Sequence, residues 1–304
     1  MEFDKVIEKL KAMKSKVISV AAAEDEAVLS AVVEARRRGI ADAILCGNKR
    51  EIESIAKKTN IDISPFEIVS ADNTLDAAKA AVSLARGGKA DILMKGLVQT
   101  ADLMQAVLDR DNGLRSEKAG SKDTLLSHVA MIDSPILGRA LLITDGGMVP
   151  YPSLQNKVSI VENAVRAAKG LGVENPKVAP IAVVEAVNTD IPATLDAAAL
   201  TVMNRRGQIR GCVIDGPLAM DLAISKKAAR QKRIDSDVAG EADILLFHNI
   251  EVANSVAKTF TNAGNSIFGG VVMGASTPIV LASRSDSTQS KLYSIACAAM
   301  IGGA

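Results

Sequence analysis

The chain has 304 residues, of which 48% are hydrophobic but only 2% are aromatic, and Trp is absent. Its 36 basic and 35 acidic residues give a formal net charge of +1. This balance argues against a dedicated nucleic-acid binder, which usually carries a basic excess and aromatic side chains that stack on bases. The length allows a large aliphatic core in one or two lobes.

Short apolar runs alternate with helical patterns through the first part of the chain. Residues 1–16 read as an amphipathic helix and lack the apolar core of a signal peptide. The next predicted elements are strands at residues 17–21, 43–46, 66–69 and 91–94, and helices at residues 24–38, 49–58 and 74–85. Apolar strands separated by helices are typical of a parallel sheet with helices on both faces.

The pattern changes between residues 125 and 144. Two apolar runs are joined there by Ser134 and Pro135, which predicts an antiparallel hairpin and the entry to a second lobe. Alternation then resumes, with helices at residues 157–171, 193–205 and 289–300 and strands at 178–184, 212–214, 244–247 and 278–282. The charged stretch at 226–240 is predicted to be an exposed connection, or alternatively a surface that attracts the phosphates of a large anionic substrate.

The cysteines and the hydropathy pattern indicate in which cellular compartment the protein works. Cys46, Cys212 and Cys297 are far apart and have no metal-ligand spacing, so neither a disulfide framework nor a zinc site is predicted. No apolar run reaches the length of a membrane span. We therefore expect a cytoplasmic protein with no membrane or nucleic-acid partner and no bound metal.

Two strand-to-helix junctions carry the polar residues of a candidate site. Ligands of open α/β sheets bind at the carboxyl ends of strands, where helix N-termini favour anions. After the strand at 278–282, one polar residue among 283–288 is needed as the helix N-cap. Capping does not explain Arg284, whose guanidinium can grip a phosphate or an oxyanion. Ser283 and Asp286 are the other candidates.

The second junction follows the strand at residues 91–94. Lys95 leaves the strand, Gly96 permits a close backbone approach, and Thr100 or Asp102 is predicted to cap the next helix. Lys95 is either a residue at the sheet edge whose ammonium group reaches solvent, or a ligand of an anion. The absence of a Walker A motif and of a GxGxxG motif after the first strand disfavours ATP-driven phosphoryl transfer and standard dinucleotide binding.

Several segments together resemble the phosphate acetyltransferase and phosphate butyryltransferase family. They are, in chain order, RRRGIADAILCGN, KGLVQTADLMQAVLD, ITDGGMVPYPS, DGPLAMDLAIS, DSDVAGEADILLF and TPIVLASRSDS. Each segment is weakly diagnostic, but their ordered combination is specific and runs through nearly the whole chain. The KGLVQTAD and SRSDSTQSKLYSIA segments resemble the butyryl branch more than the acetyl branch.

The resemblance implies a two-lobed α/β/α fold with mainly parallel sheets, related to isocitrate and isopropylmalate dehydrogenases. The first lobe would comprise residues 1–121 and 269–304, the second residues 122–268, and the active-site cleft would lie between them. The implied activity is reversible transfer of a butyryl group between CoA and inorganic phosphate. Butyryl-CoA, phosphate and butyryl phosphate would be the ligands, with CoA as co-substrate and no permanently bound cofactor. Family members are commonly dimers, so a homo-oligomer is expected.

The resemblance also assigns residues. Ser283 and Arg284 match the family's Ser-Arg pair, which contacts the phosphate and carbonyl region. The acetyl enzymes have an Asp where this chain has Ser290, so Asp286 becomes the substitute thiol base. They also have an Arg where this chain has Gln105, and Lys95 is expected to supply the missing charge.

The substrate-binding prediction gathers the polar residues of both junctions: Lys95, Gly96, Thr100, Asp102, Gln105 and Ser290. Three alternatives stay open at this point. One is an acetyl-specific or branched-acyl relative, another is a metal-dependent hydroxy-acid dehydrogenase of the same fold, and the third is a non-catalytic module that binds CoA or another metabolite.

Overall fold

The computed structural model describes residues 3–115, 125–282 and 286–302. The chain divides into two compact units, and we call residues 3–124 with 269–304 the first unit and residues 125–268 the second unit. Among the described helices, none combines the length and the apolar character that crossing a bilayer requires.

The first part of the chain alternates helices and strands, as the sequence predicts. Its elements are α1 (Phe3–Lys11), β1 (Lys16–Ala21), α2 (Glu26–Arg37), β2 (Ala41–Gly47), α3 (Lys49–Thr59), β3 (Glu67–Ser70), α4 (Thr74–Arg86), β4 (Ile92–Lys95) and α5 (Thr100–Val107). Several of these helices begin after a side chain that accepts a backbone N–H of the first turn, as Asp25, Asn48 and Asn73 do.

The second unit begins with a hairpin and continues with alternating elements. These are β5 (Ser127–Ser134), β6 (Arg139–Thr144), α6 (Leu154–Gly170), β7 (Lys177–Pro180), α7 (Pro192–Arg205), β8 (Val213–Ile214), α8 (Met220–Ile224), α9 (Lys226–Gln231), β9 (Ile244–Leu246) and α10 (Ile250–Asn262). The chain then re-enters the first unit with β10 (Ile267–Met273), β11 (Ile279–Val280) and α11 (Thr288–Ile301).

In the first unit the strand order is β3-β2-β1-β4-β11-β10. All neighbours pair in parallel except β10 and β11, which are antiparallel. Ile279 pairs with Leu93 and Val280 with Met94, so β4 and β11 run side by side in the same direction. Their carboxyl ends, which lead into α5 and α11, therefore meet at one edge of the sheet.

In the second unit the strand order is β5-β6-β9-β7-β8. Strands β5 and β6 form the antiparallel hairpin that the sequence predicts, with Val129 opposite Thr144 and Ser134 opposite Arg139. The pairs β6–β9, β9–β7 and β7–β8 are parallel. Helices α6, α7 and α10 accompany this sheet.

Helix α11 is the most deeply buried helix of the described chain. Every residue from Lys291 to Met300 is buried, and most of these residues are Ala or another small or aliphatic type. A helix that is apolar on all faces must be covered on all sides, and α11 contacts α1 and α2. At its start, the ring of Tyr293 packs on Phe3 with 4.0 Å between centroids.

The stretch at residues 226–240 is more structured than predicted. It opens with α9, which Ser225 caps by accepting the N–H of Ala228. The ammonium groups of Lys226 and Lys177 both pair with Glu241, and these bonds hold the pKa of the Glu241 carboxyl at about 2. Some of the local charges thus attach the segment to the start of β7.

The helix N-caps allow a test of how much a side-chain cap bond stabilises the protein. Asn73 Oδ1 accepts the Asp76 N–H at 2.9 Å, whereas Gln99, which precedes α5, makes no side-chain cap bond. We expect Asn73→Ala to lower the free energy of unfolding by about 1 kcal/mol and Gln99→Ala by less than about 0.5 kcal/mol. Denaturant titration followed by circular dichroism measures both, and equal losses would contradict the assignment.

Candidate active site

The end of β4 brings a buried cation to the sheet edge. Lys95 is only 7% exposed, and its Nζ donates to the Gly96 carbonyl at 3.1 Å. An ammonium group loses its hydration on burial and needs oxygen ligands in exchange. A buried ammonium group at the carboxyl end of a strand brings positive charge to this part of the sheet.

Gly96 is required by the path of the backbone. Its N–H donates to the Ala21 carbonyl at 2.8 Å, which continues the pairing of β4 with β1. A Cβ at this position would overlap the carbonyl oxygen of Ala22 and lie 2.8 Å from its carbonyl carbon. No side chain fits without moving the end of β1, so the close backbone contact between β4 and β1 explains the glycine, and its role toward a ligand stays a prediction.

The predicted cap of α5 is wrong. The helix begins at Thr100 after Gln99, so Thr100 and Asp102 lie inside the first turn, and neither is the N-cap. The extended backbone of Gln99 starts the helix without a side-chain bond. Within the described part of the chain, no hydrogen bond ties down the side chains of Thr100, Asp102 or Gln105. Their polar groups stay available to a ligand.

At the junction between β11 and α11, Ser283, Arg284 and Ser285 lie outside the described residues. The cap of α11 is Ser287, whose Oγ accepts the Ser290 N–H at 3.1 Å. The hydroxyl groups of Ser287 and Ser290 are also 3.1 Å apart. Asp286 is therefore not the N-cap, and Ser290 contributes to the cap through its backbone as well as its hydroxyl.

Lys291 belongs to this junction but was not singled out in the sequence. Its side chain is buried, at 3% exposure, and Nζ donates to the Asp286 carbonyl at 2.6 Å. This bond holds the backbone of Asp286 against the first turn of α11. The signal that could have revealed it is a lone Lys within an otherwise apolar helical run.

The two junctions share an electrostatic character. Each has a buried ammonium group, that of Lys95 or Lys291, and each leads into a helix whose N-terminal N–H groups carry partial positive charge. Since β4 and β11 are adjacent parallel strands, this positive character concentrates at one edge of the first unit. The edge is suited to phosphate groups.

Asp145 has a structural role in the second unit. Its Oδ1 accepts the N–H groups of His128, Gly147 and Met148, and its Oδ2 accepts that of Val149. Burial raises the pKa of the Asp145 carboxyl, and the four N–H bonds oppose that rise. These bonds close the turn after β6.

The described residues form no cluster of metal ligands, and two of the cysteines are buried. Over residues 3–115, 125–282 and 286–302, no group of three or more His, Cys, Asp or Glu side chains lies close enough together to hold an ion. The buried thiols of Cys46 and Cys297 have raised pKa values because burial disfavours the thiolate, about 12 for Cys46. These two thiols are therefore poor nucleophiles.

Comparison with known proteins identifies the family. The chain matches the family described as "Phosphate acetyl/butaryl transferase" over residues 1–81 and 66–299. A phosphate butyryltransferase of Clostridium acetobutylicum is 48% identical over 301 residues, which span 99% of this chain and 98% of that protein. A phosphate acetyltransferase of Thermotoga maritima is 38% identical over 300 residues, with 99% of each chain covered.

Solved structures agree with these matches. A branched-chain phosphotransacylase from Enterococcus faecalis V583 has a TM-score of 0.83 and 31% identity, and the alignment covers 94% of this chain and 99% of that one. The chain is thus an acyltransferase by class. It belongs to the phosphate acetyl/butyryl transferase family, as its motifs predicted.

The dehydrogenase-like character of the fold is confirmed as well. A 4-hydroxythreonine-4-phosphate dehydrogenase from Burkholderia phymatum has a TM-score of 0.57 at 13% identity, covering 95% of this chain and 99% of that one. At this identity the likeness concerns the fold alone.

Gly96→Ala tests the close approach at the sheet edge. Because the new methyl group would overlap backbone atoms, we expect the free energy of unfolding to fall by about 3 kcal/mol. Gly88→Ala is the matched control, because the new Cβ would meet no atom within 4 Å. Its only cost is the strain of a non-glycine residue at the left-handed φ of +71°, about 1 kcal/mol. Thermal and denaturant unfolding measure the stability of both variants. Equal losses of stability would show that the end of β1 moves at little cost to admit the methyl group.

Proposed function

We propose that the protein is a phosphate butyryltransferase that transfers a butyryl group reversibly between CoA and inorganic phosphate. The observation that carries the proposal is the 48% identity to a phosphate butyryltransferase across almost the full length of both chains. The sheet edge of the first unit supports it chemically, since two anionic substrates need cationic and N–H groups to hold them.

We propose direct transfer between the two bound substrates. In one direction, the CoA thiolate attacks the carbonyl carbon of butyryl phosphate. The C–S bond forms as a carbonyl electron pair moves onto oxygen, and the return of that pair breaks the C–O bond to phosphate. In the other direction, phosphate attacks the thioester and the thiolate leaves. The protein must orient both substrates, stabilise the oxyanion and remove the thiol proton.

Ser283 and Arg284 are proposed to contact the phosphate and the carbonyl oxygen. This assignment rests on the family resemblance of the TPIVLASRSDS segment, because both residues lie outside the described part of the chain. A guanidinium can donate two parallel hydrogen bonds to a phosphate or an oxyanion, which gives orientation as well as charge stabilisation.

Asp286 is proposed to accept the thiol proton. Two observations support this role: its carboxylate is not the cap of α11, and its backbone is held by the buried Lys291. A base whose backbone is anchored at a helix start can keep a constant distance to a bound thiol. Asp286 is also partly exposed, so a substrate can reach it.

The remaining predicted residues are proposed to bind substrate at the end of β4. Lys95 supplies positive charge for a phosphate. Gly96, whose Cβ side is filled by the Ala22 backbone, would contact the substrate through its own backbone. The polar groups of Thr100, Asp102 and Gln105 face no competing protein partner in the described chain. Ser290 has its hydroxyl in the α11 cap, so its proposed contact with substrate is the weakest of the set.

Further properties follow as proposals from the same family membership. CoA acts as a co-substrate, with no permanently bound cofactor. The protein works in the cytoplasm as a homo-oligomer, a dimer or a multiple of one. The acetyl and branched-acyl alternatives are each favoured by one relative, namely the Thermotoga maritima acetyltransferase and the Enterococcus faecalis branched-chain enzyme.

Chain-length dependence of thiol release tests the proposed activity. With phosphate and a series of acyl-CoA thioesters, we expect phosphate-dependent release of CoA that is greatest for the four-carbon acyl group. Omission of phosphate is the control for simple hydrolysis. A maximum at two carbons would replace the butyryl assignment with the acetyl one, and no phosphate-dependent release at all would refute the activity.

Asp286→Asn and Ser290→Ala test the identity of the base. We expect Asp286→Asn to lower kcat about 100-fold, as the loss of a general base typically does. Ser290→Ala keeps the backbone N–H that Ser287 accepts, so turnover should stay near the wild-type value. The reverse ranking of the two variants would remove Asp286 from the mechanism.

A further inference from the structure

Exposed apolar side chains concentrate in one stretch of the second unit. Of the nine large hydrophobic side chains that are exposed in the described part of the chain, four lie between residues 183 and 202. They are Val183, Val187, Leu195 and Val202, at 73%, 58%, 41% and 55% exposure. Single exposed hydrophobic residues are ordinary, but a group of them marks a surface that meets another molecule.

Helix α7 presents apolar residues on two opposite faces. The inner face packs into the second unit through buried residues, namely Thr194, Ala197, Leu200 and Thr201. The outer face carries Leu195, Ala199 and Val202 at i, i+4 and i+7, with Ala198 beside them. We call these four outer residues the α7 stripe. A helix with apolar residues on both faces needs cover on both, and the large side chains of the stripe are exposed.

The segment before α7 is attached to the start of the helix. Residues 186–190 are exposed without a break, and they include Val187. The Thr194 hydroxyl oxygen accepts the Asn188 N–H at 2.9 Å and donates to the Asn188 carbonyl at 2.8 Å. These bonds hold the exposed segment at the N-terminal end of α7, where it adjoins the stripe.

Opposite charges stand at the two ends of α7. Asp190 lies just before the helix and Arg206 is its C-cap, and both side chains are exposed. Within the described part of the chain, neither side chain forms an ion pair. Arg206 lies one turn beyond Val202, so it continues the line of the α7 stripe. Two such helices packed antiparallel would bring the acidic end of each to the basic end of the other.

We propose that two copies of this chain pair through their α7 stripes about a two-fold axis. With the two alanines of the stripe at the axis, antiparallel helices place Leu195 of each copy opposite Val202 of the other, and Asp190 opposite Arg206. One helix face thus supplies both the apolar and the charged partners of its own copy, as an isologous interface requires. The antiparallel alignment also brings opposite ends of the two helix dipoles together.

This self-match selects a second copy over other occupants of the stripe. An unrelated protein or a lipid surface would need no correspondence between the acidic start and the basic end of the same helix. The inference gives the proposed homo-oligomer a specific surface. It does not depend on the proposed acyl transfer.

The size of the surface shows that α7 does not form the interface alone. Its 14 residues span about 21 Å, and a strip of that length and one helix width, about 10 Å, covers roughly 200 Å². Stable interfaces bury about 800 Å² on each partner. Residues 183–190 must therefore be covered as well. The alanines favour this, because small side chains at a helix crossing allow the axes to approach to about 8 Å.

Val202→Glu tests the stripe, and Val252→Glu on α10 is the matched control. Both valines are exposed on helices, so neither change disturbs the core. We expect the wild type to sediment as a dimer of 31.7 kDa chains. Val202→Glu should raise the dimer dissociation constant at least about 100-fold, because pairing would bury two carboxylates without counterions. Val252→Glu should leave the dissociation constant unchanged.

Sedimentation velocity without substrate measures these constants, so the result is independent of transferase activity, and circular dichroism verifies the fold of each variant. A dimer that survives Val202→Glu, or that dissociates equally in both variants, would overturn this surface alone. A monomeric wild type would overturn the homo-oligomer too. If that monomer also bound lipid vesicles and Val202→Glu did not, the stripe would be a lipid-binding surface.

Exchange of the terminal charges tests the antiparallel arrangement. In Arg206→Glu alone or Asp190→Arg alone, both charged contacts of the dimer would join like charges. In a dimer that contains one copy of each variant, both contacts would again join opposite charges. We expect each variant alone to dimerise about tenfold more weakly than the wild type and an equimolar mixture to recover. Native mass spectrometry with one variant labelled with nitrogen-15 counts the mixed dimers, and a purely statistical mixture would overturn the arrangement.

Discussion

The parallel pairing of β11 with β4 is the interaction on which the proposed chemistry depends. It returns the last part of the chain to the first unit and sets Ile279 beside Leu93 and Val280 beside Met94. Two segments distant in sequence consequently end at the same edge of one sheet. Lys95 and Gly96 follow one strand, and the segment that includes Asp286 follows the other. A shift of this register would separate the groups that the proposed reaction needs together.

Buried lysines recur in both units, one at the end of a strand and two in the first turns of helices. Lys95 and Lys291 lie in the first unit and Lys157 in the second, each 7% exposed or less. A buried ammonium opposes folding unless oxygen or nitrogen ligands replace its hydration shell. In Lys291 the ligand is a backbone carbonyl, and in Lys157 it is a carboxylate with an imidazole. The protein thus retains buried charged groups at positions that aliphatic side chains could fill without a desolvation cost.

Local sequence patterns predicted much of the fold because they reflect local physics. Apolar runs such as Val17–Ala21 became strands, and Ser134 with Pro135 marked the antiparallel hairpin. The sequence analysis did not predict α10 or β10. Lys291 was missed for a different reason. Its bond to the nearby Asp286 carbonyl depends on how the first turn of α11 forms.

In the candidate site, too, the sequence predicted some features and not others. The residue types after β4 and β11 indicated anion binding, and Gly96 indicated a close backbone approach. Residue type alone does not show which of several adjacent polar residues caps a helix, because Thr, Ser and Asp are all favourable N-caps. At α11 the cap is Ser287, and at α5 no side chain takes the role. Backbone dihedral angles decide that choice, and they depend on how the preceding strand ends.

The packing of Tyr293 on Phe3 has a spectroscopic consequence. The chain has no Trp and two Tyr residues, of which Tyr151 is 74% exposed and Tyr293 is 5% exposed. An exposed tyrosine side chain contributes little to the near-ultraviolet circular dichroism that a rigid, asymmetric environment produces. The tyrosine signal of the folded protein therefore comes mainly from one ring, where α1 rests on α11. It makes the attachment of the N-terminal helix visible by optical means without any added label.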